Sequence, residues 1–144
     1  MENKSHDFND HHVEKLFQEN LVDFRNLKLI HFSFSKITEK GMKTIAENSH
    51  KFPCLQAINL RRNEITGEGL KALAENGHKF PCLQAINFYW NKITDGGLKA
   101  LVENGHKFPC LQTIDLGCNL ITGEGLQKSI KDFFVFSHLK WINL

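Results

Sequence analysis

The chain has 144 residues, one domain's worth, and its 41% hydrophobic and 24% charged content is that of a folded globular protein. Its net charge is +2 with lysines and arginines scattered along the chain, so no basic stripe marks it for nucleic acid, and no apolar run nears the ~20 residues of a membrane span. The polar opening MENKSHDFND is no signal peptide, and the four cysteines therefore read as thiols of a reducing, cytoplasmic compartment.

In chain order, residues 1–8 read as a frayed lead, and Asn9 or Asp10 can cap a helix running to about Asn20. From Leu27 a 28-residue frame takes over: 27–54, 55–82, 83–110, 111–138 and a partial 139–144. The two central blocks, LQAINLRRNEITGEGLKALAENGHKFPC and LQAINFYWNKITDGGLKALVENGHKFPC, agree at 21 of 28 positions. Self-similarity at such a period signifies a solenoid. Counted back by one period, Phe17 falls in the slot of Ile45 and Leu73, and Phe24 in that of Phe52 and Phe80. Residues 1–26 are thus expected to be a helical half-repeat that caps the open end of the core.

Each block opens on LxxIxLxxN or a close relative: Leu55, Ile58, Leu60 and Asn63; Leu83, Ile86, Phe88 and Asn91; Leu111, Ile114, Leu116 and Asn119. Residues two apart share one side of a strand, so strands are expected near 29–33, 57–61, 85–89, 113–117 and 141–144. Parallel strands need a crossover of a dozen or more residues, and the rest of each block supplies it as a helix. Helices are expected over 39–48, 67–76, 95–104 and 123–133. Thr66 is the candidate N-cap; Leu70, Leu73 and Ala74 give the apolar stripe, with Glu68, Lys71 and Glu75 on the wet face. Gly77 suggests a left-handed C-terminal cap, Phe80 plugs the core, and Pro81 bars further helix.

This recurring pattern resembles the ribonuclease-inhibitor-like class of leucine-rich repeats over residues 27–144. The resemblance implies an α/β fold: a right-handed solenoid, or horseshoe, with a parallel concave β-sheet and convex α-helices. Repeat one departs from it, with Ser35 at the Asn position, so the asparagine ladder is expected to begin one turn late. The class works mostly as interaction scaffolds. Small repeat proteins of this sort also resemble effectors that intracellular bacterial pathogens place in the host cytosol.

His50, His78 and His106 each stand four residues before a cysteine, Cys54, Cys82 or Cys110, which invites a zinc reading. Like residues one repeat apart form a ladder spaced by ~4.8 Å, whereas zinc wants ligands converging at ~2.3 Å. Core-filling thiols and surface histidines are expected instead, with no metal and no cofactor. No nucleophile with an oriented base emerges, and the Gly67-Glu68-Gly69 triplet lacks the P-loop's Lys and Ser or Thr, so no catalytic set is assigned.

The two near-copies differ at Leu60/Phe88, Arg61/Tyr89, Arg62/Trp90, Glu64/Lys92, Gly67/Asp95, Glu68/Gly96 and Ala74/Val102. Drift would scatter over the equally exposed helix face, yet four of the seven crowd at the strand's end and bring in Tyr and Trp, residues that dominate binding hot spots. Arg61, Arg62, Tyr89 and Trp90 should form one patch with Phe34 beside it, and Cys118 occupies the next outward slot. A row of His31, Asn59, Asn87, Asp115 and Asn143 should line the middle of the same face. The functional expectation is a non-enzymatic module that binds a partner protein through its concave face. Alternatives are an adaptor that uses its convex side or its C-terminal end, and nucleic-acid binding through the arginines and aromatics. Phe133 and Phe134 are surplus to the pattern, either covering the core's end or contacting a partner. The terminal strand leaves an edge through which copies could self-associate.

Overall fold

The computed structural model describes residues 8–18 and 22–144; residues 1–7 of the expected frayed lead and 19–20 of the expected first helix lie outside them, while Phe8 is not frayed but packs on the core and stacks on Phe32 at 4.6 Å. Ile30, Ile58, Ile86, Ile114 and Ile142 are the middle residues of five short strands: β1 (Leu29–His31), β2 (Ala57–Asn59), β3 (Ala85–Asn87), β4 (Thr113–Asp115) and β5 (Trp141–Asn143). These pair in sequence order, all parallel, with each residue opposite the one a full period along. Four of the isoleucines are at most 3% exposed, whereas the flanking residues face outward, as the two-residue alternation requires.

Regular strand geometry is shorter than the sequence suggests. The Asn59 side-chain oxygen accepts from Arg61 N at 3.2 Å, and Asn87 does the same for Tyr89 at 2.9 Å, which bends the chain into its turn. Interstrand bonding nonetheless continues beyond the bend, with Leu60 N to Asn87 O at 2.8 Å and Arg62 N to Tyr89 O at 2.9 Å.

Helices α1 (Asp10–Gln18), α2 (Glu39–Glu47), α3 (Gly67–Glu75), α4 (Asp95–Glu103) and α5 (Gly123–Ser129) cover the sheet's other face. Leu70, Leu73 and Ala74 are fully buried, and Glu68, Lys71 and Glu75 are exposed. A ladder of phenylalanines closes the far side of one continuous core: Phe52 and Phe80 stack at 6.1 Å, and Phe108 and Phe136 extend the row. Val13 and Phe17 of α1 join that core, Phe17 lying 5.8 Å from Phe52.

The asparagine ladder starts at the second repeat. Asn63, Asn91 and Asn119 accept from Ile37 N, Ile65 N and Ile93 N of the preceding repeat at 2.9–3.0 Å. Their amide groups donate back to carbonyls of that repeat and of their own, whereas Ser35 reaches Ser33 O at 3.4 Å.

Four local expectations are corrected. Gly77 has no positive φ; it opens a 3-10 turn (Gly77–Lys79), and a Cβ there would lie 2.8 Å from Phe108 Cε2. Close packing of the next repeat's phenylalanine, not a left-handed cap, requires this glycine. The same slot in the fourth repeat is Phe133. Second, Cys54 is exposed and Cys82 and Cys110 half-buried. Phe80 and Leu83 point inward from a tight turn closed by Leu83 N to Phe80 O at 3.2 Å, which pushes Pro81 and Cys82 to its tip. His50, His78 and His106 are exposed, as expected.

Third, Thr66 sits at the N-cap position, but its hydroxyl is 3.4 Å from Glu39 Oε2 and makes no capping bond to its own helix. Fourth, α5 stops at Ser129 and tightens into a 3-10 turn (Ile130–Val135) because residues 131–133 lack the Glu-Asn-Gly that ends α3 and α4. Phe133 stacks on buried Phe136 at 6.1 Å and covers the core, while Phe134 is 80% exposed and covers nothing.

Candidate binding face of the sheet

On the face away from the helices, the turn leaving each strand brings two residues to the rim of the sheet. In the first four repeats these are Ser33 and Phe34, Arg61 and Arg62, Tyr89 and Trp90, then Gly117 and Cys118. The second of each pair holds a positive φ: 57° at Phe34, 54° at Arg62, 58° at Trp90 and 56° at Cys118. Left-handed backbone costs a side-chain-bearing residue about 1–2 kcal/mol, and such strain collects at interaction sites. This conformation went unread in the sequence because Gly and Asn, the usual markers, are absent from that slot.

The parallel register brings Phe34, Arg61, Arg62, Tyr89, Trp90 and Cys118 together as one lattice. Arg62 stacks between Trp90, 4.5 Å from its guanidinium carbon to the ring centroid, and Phe34, at 5.1 Å. Arg61 stacks between Tyr89, at 4.9 Å, and the other reach of Phe34, at 5.8 Å. At exposed sites each contact contributes about 0.5–1 kcal/mol. Phe34 and Trp90 remain 54% and 52% exposed. Arg61 Nε is shielded from water and has no hydrogen-bond partner.

Tyr89 leans over Gly117, where a Cβ would stand 3.2 Å from its ring, and meets the Cys118 thiol at 3.1 Å. Gly117 is therefore a member of this face that residue-type reasoning passed over. The hydrogen bond with Cys118, then that neighbour's charge and burial, raise the Tyr89 phenol above its ordinary value, with Arg61 and Arg62 offsetting this in part.

Differences between the near-copies are complementary across the repeat boundary. Arg61 meets Tyr89, Arg62 meets Trp90, and Glu64 pairs with Lys92 at 2.9 Å. Asp95, where the other copy has Gly67, accepts from Thr122 N at 2.7 Å and Thr122 Oγ1 at 2.6 Å. Those two bonds hold its carboxyl below the ordinary value.

Asn59, Asn87 and Asp115 lie in register along the middle of the face, joined by His31 and Asn143. One oxygen of each of these three bonds the backbone two residues on, and Asp115 Oδ1 also accepts from Asn143 Nδ2 at 3.0 Å. The row therefore shapes the turns, a role the sequence reading did not assign. Trp141, 51% exposed and opposite Thr113, extends the aromatic surface to the last strand.

Among the described residues no helix is long and apolar enough to cross a membrane, and no three His, Cys, Asp or Glu side chains gather where they could hold a metal ion. Residues 53–74, 81–102 and 109–128 each match a family model described as Leucine Rich repeat. No curated protein matches the chain. Three matched units, one parallel sheet in constant register and a helix in each crossover give the chain the fold of a leucine-rich-repeat solenoid.

Proposed function

We propose that the protein is a non-enzymatic module that binds a partner protein through its concave sheet face, with Phe34, Arg61, Arg62, Tyr89, Trp90 and Cys118 as the contact lattice and Asn59, Asn87 and Asp115 beneath it. The observation that carries this reading is the half-exposure of Phe34 and Trp90 on a framework whose arginines are already held between rings. Exposed aromatic patches mark interaction sites, and side chains held in place before binding lose little entropy when a partner arrives. Leucine-rich repeats generally serve as protein-interaction modules. The 28-residue period and the helical convex side support the ribonuclease-inhibitor-like subtype.

We also propose that residues 1–26 cap the solenoid. Supporting this, α1 contributes Val13 and Phe17 to the core, and Asp10 accepts from Thr38 N at 2.9 Å and Gly41 N at 3.0 Å at the start of α2. Phe134, 80% exposed, favours a second reading in which the C-terminal end makes the contact.

Crosslinking capture from cell lysate tests both. Tyr89→Ala/Trp90→Ala should lose the partner that the wild-type chain and Lys71→Ala/Glu75→Ala, altered on the wet helix face, retain. Undiminished capture by the Tyr89→Ala/Trp90→Ala variant overturns the sheet-face reading, and loss in Phe134→Ala alone establishes the second.

A further inference from the structure

Arg61 and Arg62 are cations with a defined position and no counter-charge. Elsewhere on the molecule Lys40 pairs with Glu14 at 3.0 Å, Lys92 with Glu64 at 2.9 Å, Lys128 with Glu124 at 2.6 Å and Arg25 with Asp23 at 2.7 Å. Among the described residues neither Arg61 nor Arg62 forms an ion pair. Their guanidinium carbons sit over aromatic rings, Phe34 and Tyr89 for one, Phe34 and Trp90 for the other. A ring occupies the face of a guanidinium and leaves its edge, which carries the N–H donors, to other partners; at Arg61 the shielded Nε leaves the Nη groups for that role.

Both arginines touch the ring of Phe34, so two like charges are held close together, and an anion between or beside them relieves their repulsion. Carboxylates fit the edge of a guanidinium through paired N–H···O bonds. Resting on the reading of this face as a protein-binding surface, we propose that its partner presents an acidic stretch, a run of Asp and Glu whose carboxylates dock on the edges of Arg61 and Arg62 while its neighbouring side chains lie over Phe34 and Trp90. Asp115 sets the direction. Its carboxylate is already committed to Gly117 N and Asn143 Nδ2, and its charge turns an acidic segment away from β4 and over β1 to β3.

The test uses the full chain, nitrogen-15 labelled, and two short synthetic peptide libraries with random flanks, one with a fixed central Glu-Asp-Glu and the other with Gln-Asn-Gln. Immobilised protein should retain the acidic library about tenfold more than the amide library, since charge-assisted hydrogen bonds exceed neutral ones by about that factor. The preference should shrink as salt rises, and the Nε–H resonances of Arg61 and Arg62 should move only with the acidic peptides. Arg61→Gln/Arg62→Gln should erase the preference, and Arg61→Lys/Arg62→Lys, which keeps charge but loses the planar edge, should erase most of it. Equal retention of the two libraries, or an acidic preference that survives in the glutamine variant, overturns the proposal. If the libraries are retained equally while Tyr89→Ala/Trp90→Ala still abolishes capture from lysate, the acidic-segment proposal fails and the sheet-face reading stands. If that variant captures normally, both fail.

Discussion

Replacing Asn91 by alanine removes three hydrogen bonds of unequal weight. Ile65 N–H, 3.0 Å from Asn91 Oδ1, loses its buried acceptor, at a cost of about 1–3 kcal/mol. The two carbonyls that Asn91 serves suffer less, because each is shared with a neighbouring rung. Leu60 O also accepts from Asn63 Nδ2 at 3.0 Å, and Phe88 O from Asn119 Nδ2 at 2.9 Å. Losing one of two donors at each adds about 1 kcal/mol in all, for a total near 2–4 kcal/mol. In a chain of this size that corresponds to a melting temperature lower by roughly 5–15 °C. Urea unfolding followed by far-ultraviolet circular dichroism measures it, with the denaturant slope unchanged. Glu64→Ala, which breaks a half-exposed ion pair with Lys92, serves as control and should cost less than about 0.5 kcal/mol. An Asn91→Ala loss as small as that of the control would refute the claim that the ladder ties repeat to repeat.

Gly77→Ala should destabilise by about 1–3 kcal/mol despite its ordinary backbone angles, because the new methyl meets Phe108. Gly123→Ala, with nothing within 4 Å of the added carbon, should instead gain about 0.4–1 kcal/mol; thermal melts of the pair check both signs. Tyr89 is the one tyrosine in the chain, so phenolate absorbance reports it alone; Cys118→Ala should move that titration to lower pH. The depressed Asp95 carboxyl stabilises the fold at pH above its unfolded value, near the ordinary 3.8, and that contribution is lost as pH falls through the lower folded value. Asp95→Asn should therefore weaken the fold at neutral pH and flatten the acid limb of the stability curve.

Period and composition made the architecture legible. Isoleucines at a fixed spacing named the centre of every strand, the Leu70-Leu73-Ala74 stripe named the helix face, and Ser35 foretold where the asparagine ladder begins. Position within a turn was less legible, because it depends on neighbours a full period away. Gly77 looks like a cap in its own repeat, and its need for small size comes from Phe108 in the next. Cys82 looks like a core residue by type, yet Phe80 and Leu83 take both inward directions of its turn. For the candidate face, register alone predicted that Arg61, Arg62, Tyr89 and Trp90 would be neighbours. That the rings would alternate with guanidiniums, and that Phe34, Arg62, Trp90 and Cys118 would share a left-handed backbone, follows from stacking geometry that no single repeat displays. The interleaving also gives the divergence of the two near-copies an intramolecular cause, since Tyr and Trp are held by Arg of the preceding repeat.

Hydroxyl-radical footprinting of the chain, free and bound to its captured partner, tests the central claim most directly. Phe34, Trp90 and Phe134 all start more than half exposed, so each is open to oxidation in the free protein. Protection of Phe34 and Trp90 with Phe134 unchanged is the predicted result. Protection of Phe134 while Trp90 oxidises as freely as before would contradict it.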